Sequence, residues 1–274
     1  MGECSSEQVL SERMRIVMIG AGKLATSLGP ALLEAGHEVM CVFSRTIESA
    51  RTLGSRLDAQ ATDSTEELPT EADAYIVSVK DSALGELIPR ITKGREQQLF
   101  VHTAGSMPLD VFKGYALHYG VLYPMQSFSK ERRVSFGEIP VFIEASDETA
   151  RRATAGLASS VSQHVVPLST ADRKYLHLAA VFACNFVNHC YTLSADILQQ
   201  HGLDFSVMLP LTDETARKVH ELEPLKAQTG PAVRYDQNVI DMQAALLAGQ
   251  PALQDIYRQL SKSIHERQLN NDKL

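Results

Sequence analysis

The sequence lacks any hydrophobic run long enough to cross a membrane. A membrane-spanning helix needs roughly 20 consecutive apolar residues, and no segment of the 274 residues approaches that length. The first 13 residues are polar and acidic, and they lack the apolar core of a signal peptide. These absences predict a cytoplasmic protein without membrane association, and residues 1–13 are expected to form a flexible N-terminal extension.

Clusters of basic residues and paired cysteines are also missing. The net charge is −7, and the basic residues form no patch dense enough to follow the phosphates of DNA or RNA. The four cysteines contain no Cys-x-x-Cys pair, so neither a zinc site nor a disulfide framework is indicated. We therefore expect no nucleic-acid partner and no bound metal, and we expect a small-molecule substrate.

Short apolar runs alternate with helical patterns through the first 168 residues. The runs predict strands at residues 16–19, 38–43, 73–79, 99–102, 119–123, 139–143 and 164–168. Such βαβ units have right-handed crossovers, which place helices on both faces of a parallel sheet. From Thr170 onwards the pattern is helical. The sequence thus predicts an α/β fold, with a Rossmann-type, doubly wound, mainly parallel sheet in residues 14–168 and an all-helical domain in residues 169–274.

Residues 14–26 organise the first domain, because an apolar strand there ends at a glycine turn and a helical pattern follows. Gly20, Gly22 and Ala25 fit the G-x-G-x-x-G/A dinucleotide fingerprint, in which the glycines permit a tight turn and close approach of a pyrophosphate. The helix N-terminus would hold the phosphates. The residues expected to contact them are Gly20, Ala21, Gly22, Lys23, Leu24 and Ala25. The alternative is a turn that only joins strand to helix.

The end of the second predicted strand indicates which dinucleotide binds. NAD-binding domains carry an acidic residue there, about 20 residues after the glycines, to bind the ribose 2′-hydroxyl. This chain has Ser44-Arg45-Thr46 instead. An arginine can pair with the 2′-phosphate of NADP, and the neighbouring hydroxyls can add hydrogen bonds. We therefore predict NADP as the cofactor; the alternative is an ordinary exposed arginine in a turn.

Two later strands end in small and polar residues at the edge of the sheet where ligands bind in open α/β folds. Val79 and Lys80 follow one strand, and their backbone is expected to line the ribose and nicotinamide. The segment 102–106 follows the next strand, where Thr103, Ala104 and Gly105 allow the nicotinamide ring to lie near the backbone. His102 and Ser106 offer polar groups beside it. The alternatives are that Val79 and Lys80 only lead into a capped helix, and that His102 is a structural residue.

Several motifs together support a family resemblance. They are Ser44-Arg45, HTAGS (102–106), YPMQSFSK (123–130), IPVFIEA (139–145), HLAAVFACNFVNH (177–189) and QTGPAVRYD (228–236). On these motifs the chain resembles the bacterial Rossmann-like proteins with a C-terminal domain of unknown function, DUF2520, over residues 14–260. That family is similar to pyrroline-5-carboxylate reductases. The resemblance implies an NADP-binding domain followed by a helical domain, and a homodimer formed through the helical domain, at residues 239–247 and the helix of His177.

The helix predicted at residues 175–199 is apolar nearly all round, so we expect it to be buried. His177 and Asn188 fall on one stripe, and Asn185 lies beside it. Buried polar side chains need hydrogen-bond partners, and the resemblance implies that these three residues line the substrate site. The alternative is a polar network that ties the helix to its neighbours or to a second subunit.

Two loops supply further candidates for substrate binding. Thr229 and Gly230 precede a predicted helix whose first amides can hold an anion, although the longer glycine loop of pyrroline-5-carboxylate reductases is absent. Gln126 and Lys130 belong to the YPMQSFSK motif, which we expect to lie over the same cleft. Lys130 is a candidate general acid or anion-binding charge. The alternatives are that Thr229 and Gly230 form a turn that only separates two helices, and that Lys130 is a solvated surface lysine.

The leading hypothesis is an NADP(H)-dependent oxidoreductase, related to pyrroline-5-carboxylate reductase, that reduces a small imine or keto acid in the interdomain cleft. The cofactor supplies the hydride, and the protein supplies orientation and a proton donor. His177 is the first candidate for that donor and His102 the second. The competing hypothesis is a non-catalytic NADP-binding sensor or regulatory module, which the lack of an evident acid–base pair with a carboxylate favours.

Overall fold

A computed structural model of the chain describes residues 13–132 and 134–271. Within them lies a sheet of eight strands. The strands are β1 (Arg15–Ile19), β2 (Glu38–Phe43), β3 (Gln60–Thr62), β4 (Ala74–Val77), β5 (Leu99–His102), β6 (His118–Pro124), β7 (Val141–Ala145) and β8 (Val165–Pro167). Their order is β3-β2-β1-β4-β5-β6-β7-β8, and all neighbours are parallel except β6 and β7. The predicted fold class is confirmed.

Helices cover both faces of this sheet. They are α1 (Lys23–Glu34), α2 (Ile47–Leu57), α3 (Asp81–Thr92) and α4 (Glu148–Val161). Alternate residues of β1 enter two separate cores: Ile16 and Met18 pack with residues of α1 and α4, whereas Val17 and Ile19 pack with residues of α3. A strand buried on both faces must be apolar at every position. This requirement explains why the apolar runs identified the central strands.

Strand β3 has no such signal in the sequence. It consists of only Gln-Ala-Thr at the edge of the sheet and pairs with β2 through Cys41, Val42 and Phe43. A short edge strand is not buried on both faces, so its residues need not be apolar. The pairing with its neighbour, rather than its composition, defines this strand.

The C-terminal part is helical, as predicted. Its helices are α5 (Thr170–Ala180), α6 (Val187–Gln200), α7 (Leu209–Glu221), α8 (Pro224–Ala227), α9 (Pro231–Arg234), α10 (Gln237–Leu246) and α11 (Pro251–Asn271). The chain forms two compact units that divide between Cys184 and Asn185. Helix α5 therefore belongs to the first unit, although the composition changes earlier, near residue 168. No helix of residues 13–132 and 134–271 is long and apolar enough to span a membrane.

The prediction that the helix at residues 175–199 is buried all round is wrong for the single chain. Tyr175 is 76% exposed and Leu178 is 53% exposed, and most side chains from Phe182 to Cys190 are exposed as well. A π-helical turn, Val181–Phe186, also separates α5 from α6. Since π turns have more residues per turn than α-helices, the predicted stripe of His177 and Asn188 does not continue through this turn.

The predicted N-terminal extension, residues 1–13, lies almost wholly outside the described residues. Only Arg13 falls within them, and its guanidinium pairs with the Glu38 carboxylate at 2.9 Å on the surface. The first described strand begins two residues later, at Arg15.

Candidate functional site

The glycine turn lies where the strand order reverses, between β1 and β4, which is the position of ligand crevices in open α/β sheets. Gly20 has a φ of +112°, a conformation that side chains disfavour. A Cβ at this position would lie 2.2 Å from the backbone oxygen of Ser78. The amide of Gly20 donates to the oxygen of Phe43 at 2.7 Å. The turn is therefore packed tightly between the ends of β2 and β4, and only glycine fits there.

The N-terminus of α1 begins directly after this turn. Gly22 is its N-cap, and no side chain caps the helix. The first intrahelical bond runs from the Thr26 amide to the Gly22 oxygen at 2.9 Å, so the amides of residues 23–25 have no partner inside the helix. Ala25 is fully buried against the sheet, as the close packing in the fingerprint requires. These open amides and the helix dipole are suited to a phosphate.

A cleft of about 600 Å³ opens in front of the turn and the helix N-terminus. This volume lies within the range of small-molecule and cofactor pockets. The lining residues are Gly20, Ala21, Gly22, Phe43, Ser44, Arg45, Thr46, Ser49, Asp63, Ser78, Val79, Lys80, Ser82, Ala83, Glu86, Leu87, Arg90 and Lys130. The structure thus brings together the glycine turn, the segment 44–46 and the segment 79–80, as predicted from three separate stretches of sequence.

Arg45 is the exposed cation on the wall formed by the end of β2. Within the part of the chain that the structure describes, no carboxylate forms an ion pair with it. The neighbouring Thr46 hydroxyl donates to the Ser49 hydroxyl at 2.8 Å. An exposed guanidinium without a carboxylate partner can accept an anionic group from a ligand.

The segment 102–106 follows β5 at the same edge of the sheet. The amide of Thr103 donates to the oxygen of Val77 at 3.1 Å, which holds the segment against the end of β4. The hydroxyl of Ser106 donates to the carboxylate of Asp81 at the start of α3. Ser106 is therefore already engaged with a neighbouring loop.

His102 is fully buried, and both of its ring nitrogens are engaged. Nδ1 accepts a hydrogen bond from the Ala104 amide, and Nε2 donates to the Pro108 oxygen, each at 3.2 Å. Burial, reinforced by the nearby charge of Arg173, lowers the pKa of His102 to about 4. His102 is thus neutral near pH 7 and supports its loop. Its role as a proton donor stays a prediction, and this geometry favours the structural alternative.

His177 meets Tyr123 at the end of β6. The Tyr123 hydroxyl and the His177 Nδ1 are 2.9 Å apart, and the two rings meet edge to face. Burial raises the pKa of Tyr123, so its hydroxyl stays protonated at neutral pH. The hydroxyl donates to Nδ1 when that nitrogen is unprotonated and accepts from it otherwise. In the described residues, Nε2 of His177 has no hydrogen-bond partner and is available for other contacts.

Gly105 leaves the space in which this pair meets. A Cβ at Gly105 would lie 2.6 Å from the His177 Nδ1 and 2.8 Å from the Tyr123 Cζ. Gly105 thus lies against the rings of two side chains, and the placement of a nicotinamide ring near its backbone stays a prediction. Tyr123 opens the YPMQSFSK motif that was expected to lie over the cleft, but it was given no role of its own, although its place at the carboxyl end of a strand is a signal for a site residue.

Arg173 holds α5, the helix that carries His177, against the sheet. It is 1% exposed, and its guanidinium donates to the Glu144 carboxylate and to the Met107 oxygen, each at 2.6 Å. Burial raises the pKa of Glu144, but hydrogen bonds from Thr170 and Arg173 outweigh burial and hold it below its usual value. The sequence analysis missed this pair, because an arginine in a helix start reads as an exposed residue.

Four of the remaining predicted site residues lie in the second unit, and one more lies in the loop after β6. Asn185 and Asn188 are exposed and belong to the second unit, and Thr229 is exposed there too. Gly230 precedes α9, which has only four residues and therefore offers no extended helix N-terminus for an anion. The Gln126 side chain accepts from the next amide in its own loop.

Two family models match the chain. Residues 139–264 match a model described as a domain of unknown function, DUF2520. Residues 15–105 match one described as NADP oxidoreductase coenzyme F420-dependent. The second match includes the glycine turn and Arg45, and at the level of the family it confirms the prediction of NADP. Among curated proteins, no match to the chain was found.

Solved structures extend these matches to nearly the whole chain. A candidate NADP oxidoreductase from Bacteroides fragilis is 54% identical, covers 93% of this chain and 98% of that chain, and has a TM-score of 0.90. An imine reductase from Myxococcus stipitatus in complex with NADP+ is 15% identical over 94% of both chains, with a TM-score of 0.61. A pyrroline-5-carboxylate reductase from Coxiella burnetii is 16% identical over 94% of this chain and 98% of that chain, with a TM-score of 0.57. The two distant structures share the fold. On the similarity to the Bacteroides protein and the DUF2520 match, this chain belongs to the DUF2520 family of Rossmann-like proteins related to NADP oxidoreductases.

Proposed function

We propose that the protein is an NADP(H)-dependent oxidoreductase that reduces a small imine or keto acid. The observation that carries the proposal is a single cleft lined both by Arg45 and by Gly22, the N-cap of α1, whose first amides are open. Those amides suit a pyrophosphate, and Arg45 suits the 2′-phosphate that distinguishes NADP from NAD. The imine reductase and pyrroline-5-carboxylate reductase with this fold support the substrate class.

The residues of the cleft fit the cofactor. A side chain at Gly20 would collide with the Ser78 backbone, so glycine is required for the turn, and Gly22 leaves the helix amides without a side-chain cap. Val79 and Lys80 line the same cleft from the end of β4. When bound, NADPH supplies the hydride. The chain has to bind it, orient the substrate and deliver a proton.

His177 is the proposed proton donor. In the cationic form of the imidazole, Nδ1 donates to the Tyr123 oxygen, which fixes the ring and leaves Nε2–H to give its proton to the nitrogen or oxygen of the reduced bond, so that His177 becomes neutral. Tyr123 acts through His177 and is therefore a positioning residue. Arg173, four residues before His177, forms an ion pair with Glu144 of β7. This ion pair fixes the start of α5 against the sheet and thereby fixes the position of the His177 ring.

Turnover separates this proposal from an NADP-binding sensor. Purified protein is titrated with NADPH by fluorescence, and the absorbance at 340 nm is then followed with a panel of imines and keto acids. Coenzyme F420 joins the panel, because the family model for residues 15–105 is described as dependent on it. NADPH binding together with NADPH oxidation by at least one panel compound supports the enzyme. NADPH binding with no oxidation by any of the panel compounds supports the sensor. If NADPH does not bind, both functions are excluded.

Replacing Arg45 by alanine is expected to weaken NADPH binding about 10- to 100-fold, the range for loss of a hydrogen bond between charged groups. Affinity for NADH should stay within twofold of the wild type, because NADH lacks the 2′-phosphate. Dissociation constants from fluorescence titration measure both effects. Arg51→Ala, on α2 outside the cleft lining, is the matched control. Equal losses for the two nucleotides would contradict the role of Arg45.

We also propose that the protein is a homodimer. In the second unit, Leu246 is 81% exposed and Met242 is 61% exposed on α10, and in the first unit Tyr175 and Leu178 are exposed on α5. Exposed apolar side chains in such number mark interaction surfaces, and the family resemblance favours a second copy of the chain as the partner.

Light scattering coupled to size exclusion tests the dimer. We expect twice the mass of 30.1 kDa for the wild type. The double variant Met242→Glu/Leu246→Glu should shift the mass towards the monomer, because a carboxylate in an apolar contact must be desolvated. Leu117→Glu, at another exposed leucine, is the control. A monomeric wild type at micromolar concentration would exclude the dimer.

A further inference from the structure

Lys130 reaches the cofactor cleft from a part of the chain that is distant in sequence. It lies in the loop that joins β6 to β7, and it lines the cleft together with Gly22 and Arg45. It also lines a groove on the outer side of α1, beside Thr26 and Ser27. Lys130 is thus placed next to the N-terminus of α1, between this groove and the cleft. Its ammonium forms no ion pair with residues 13–132 or 134–271.

The loop that carries Lys130 is anchored on both sides. Two residues before it, Phe128 stacks on Phe136, with the ring centroids 5.6 Å apart and nearly parallel. Phe136 is buried in the core between the sheet and α1. After it, the Gly137 oxygen accepts from the Gln163 amide at 3.0 Å, beyond the end of α4. Phe128 therefore fixes the chain two residues before Lys130.

The residues that line the cleft beside Lys130 indicate which ligand it contacts. The cleft contains the glycine turn, the end of β2 and the start of α3. Tyr123 and His177, the proposed proton-donor pair, are not among its lining residues. The sequence analysis assigned Lys130 to substrate binding, whereas its neighbours are the groups proposed to bind the cofactor.

The charge of the cleft leads to the same assignment. Arg45, Lys80, Arg90 and Lys130 line it, against the carboxylates of Asp63 and Glu86. NADP brings a pyrophosphate and a 2′-phosphate into this space, so cations beside the helix N-terminus are matched by phosphate charge. A lysine acts as a compact charge on a flexible stem and needs no fixed geometry to contact a phosphate.

We propose that Lys130, at the edge of the cofactor cleft, binds a phosphate group of the dinucleotide. This inference rests on the proposed function, because it requires NADP in the cleft. Both the pyrophosphate and the 2′-phosphate offer the chemistry that Lys130 recognises. Comparison of NADPH with NADH separates them, since only NADPH carries the second group.

The test measures dissociation constants of wild-type protein and Lys130→Gln for NADPH and NADH at low and at high salt. We expect Lys130→Gln to weaken NADPH binding about tenfold at low salt, less at high salt, and Lys130→Arg to restore it. A loss with both nucleotides assigns the pyrophosphate, and a loss with NADPH alone assigns the 2′-phosphate. Lys93→Gln, at an exposed lysine after α3, is the matched control and should bind as the wild type does.

Two results overturn the inference in different ways. If the wild type binds NADPH and Lys130→Gln binds it within twofold of the wild type, Lys130 does not contact the cofactor, and the proposed function is unaffected. If the wild type binds neither nucleotide, the proposed function fails and the role of Lys130 fails with it. The melting temperature of the free variant is measured in parallel and should be unchanged, because Lys130 is exposed.

Discussion

Replacing Arg173 by methionine is expected to lower the free energy of unfolding by about 3–5 kcal/mol, the range for breaking a buried ion pair. The guanidinium is 1% exposed and contacts the Glu144 carboxylate and the Met107 oxygen. Methionine keeps the apolar stem but leaves the carboxylate of Glu144 without its cation. The loss in the free energy of unfolding therefore comes mainly from a partly buried, uncompensated charge and less from lost packing.

Urea or guanidinium unfolding followed by circular dichroism measures this effect. The double variant Arg173→Met/Glu144→Gln removes the charge as well, so it should recover part of the loss, as expected for residues in one ion pair. Arg152→Met is the control, since Arg152 is 72% exposed and lies 3.8 Å from its carboxylate partner, Glu148. A loss below about 1 kcal/mol for Arg173→Met would show that the pair contributes little.

His177→Asn is expected to lower kcat about 10²- to 10⁴-fold with any substrate that the panel identifies, the usual range for loss of a general acid. The NADPH dissociation constant should not change, because His177 does not line the cofactor cleft. Stopped-flow or steady-state absorbance at 340 nm gives kcat, and fluorescence titration gives the affinity. His201→Gln, at an exposed histidine of the second unit, is the control.

Two neighbouring variants separate proton donation from positioning. Tyr123→Phe removes the hydrogen bond to Nδ1 and should lower kcat less than His177→Asn does, with the pH profile shifted and KM nearly unchanged. Gly105→Ala should act on both residues, because its Cβ would overlap the His177 Nδ1 and the Tyr123 ring. If His177→Asn retains more than a third of wild-type kcat, the proton comes from another group.

The cofactor half of the fold was predictable from the sequence because its signals are local. Strand β1, the glycine turn and α1 follow one another within 20 residues, and each has its own pattern: an apolar run, two glycines and a helical repeat. The apolar run at residues 38–43 located the end of β2 in the same way, and it thereby showed that Arg45 lies just after this strand. The parallel direction of these strands then follows from the helical crossovers between them, because each crossover returns the chain to the same end of the sheet.

The group of Tyr123, His177 and Gly105, the proposed proton-donor site, was only partly predictable, because its contacts join distant positions. Tyr123 and His177 are 54 residues apart, and Gly105 completes the group from a third segment. His177 was selected for its place on an apolar helix, but its partner could not be chosen among the eight tyrosines of the chain. Arg173 was missed for the same reason, since Glu144 becomes its neighbour only when β7 forms.

The error about the helix at residues 175–199 has a different origin. Its apolar composition correctly indicates that the helix requires cover, but composition does not say whether the cover comes from the same chain or from another. The π turn is a second feature that periodicity does not predict, since it adds a residue without changing the apolar character of Val181–Phe186.

The antiparallel pairing of β6 with β7 makes the cofactor side of the sheet unusually open to engineering. Pro124 and Val141 lie opposite each other, so the intervening loop leaves and re-enters the sheet at the same edge. Changing the length of such a loop has a small entropic cost, about 0.6 kcal/mol for each doubling. Insertions or grafts between Phe128 and Phe136 would therefore change how far this loop extends over the cofactor cleft, while the register between β6 and β7 stays fixed. The connections from β1 to β2, β2 to β3, β4 to β5 and β7 to β8 lack this freedom, because each returns through a packed helix.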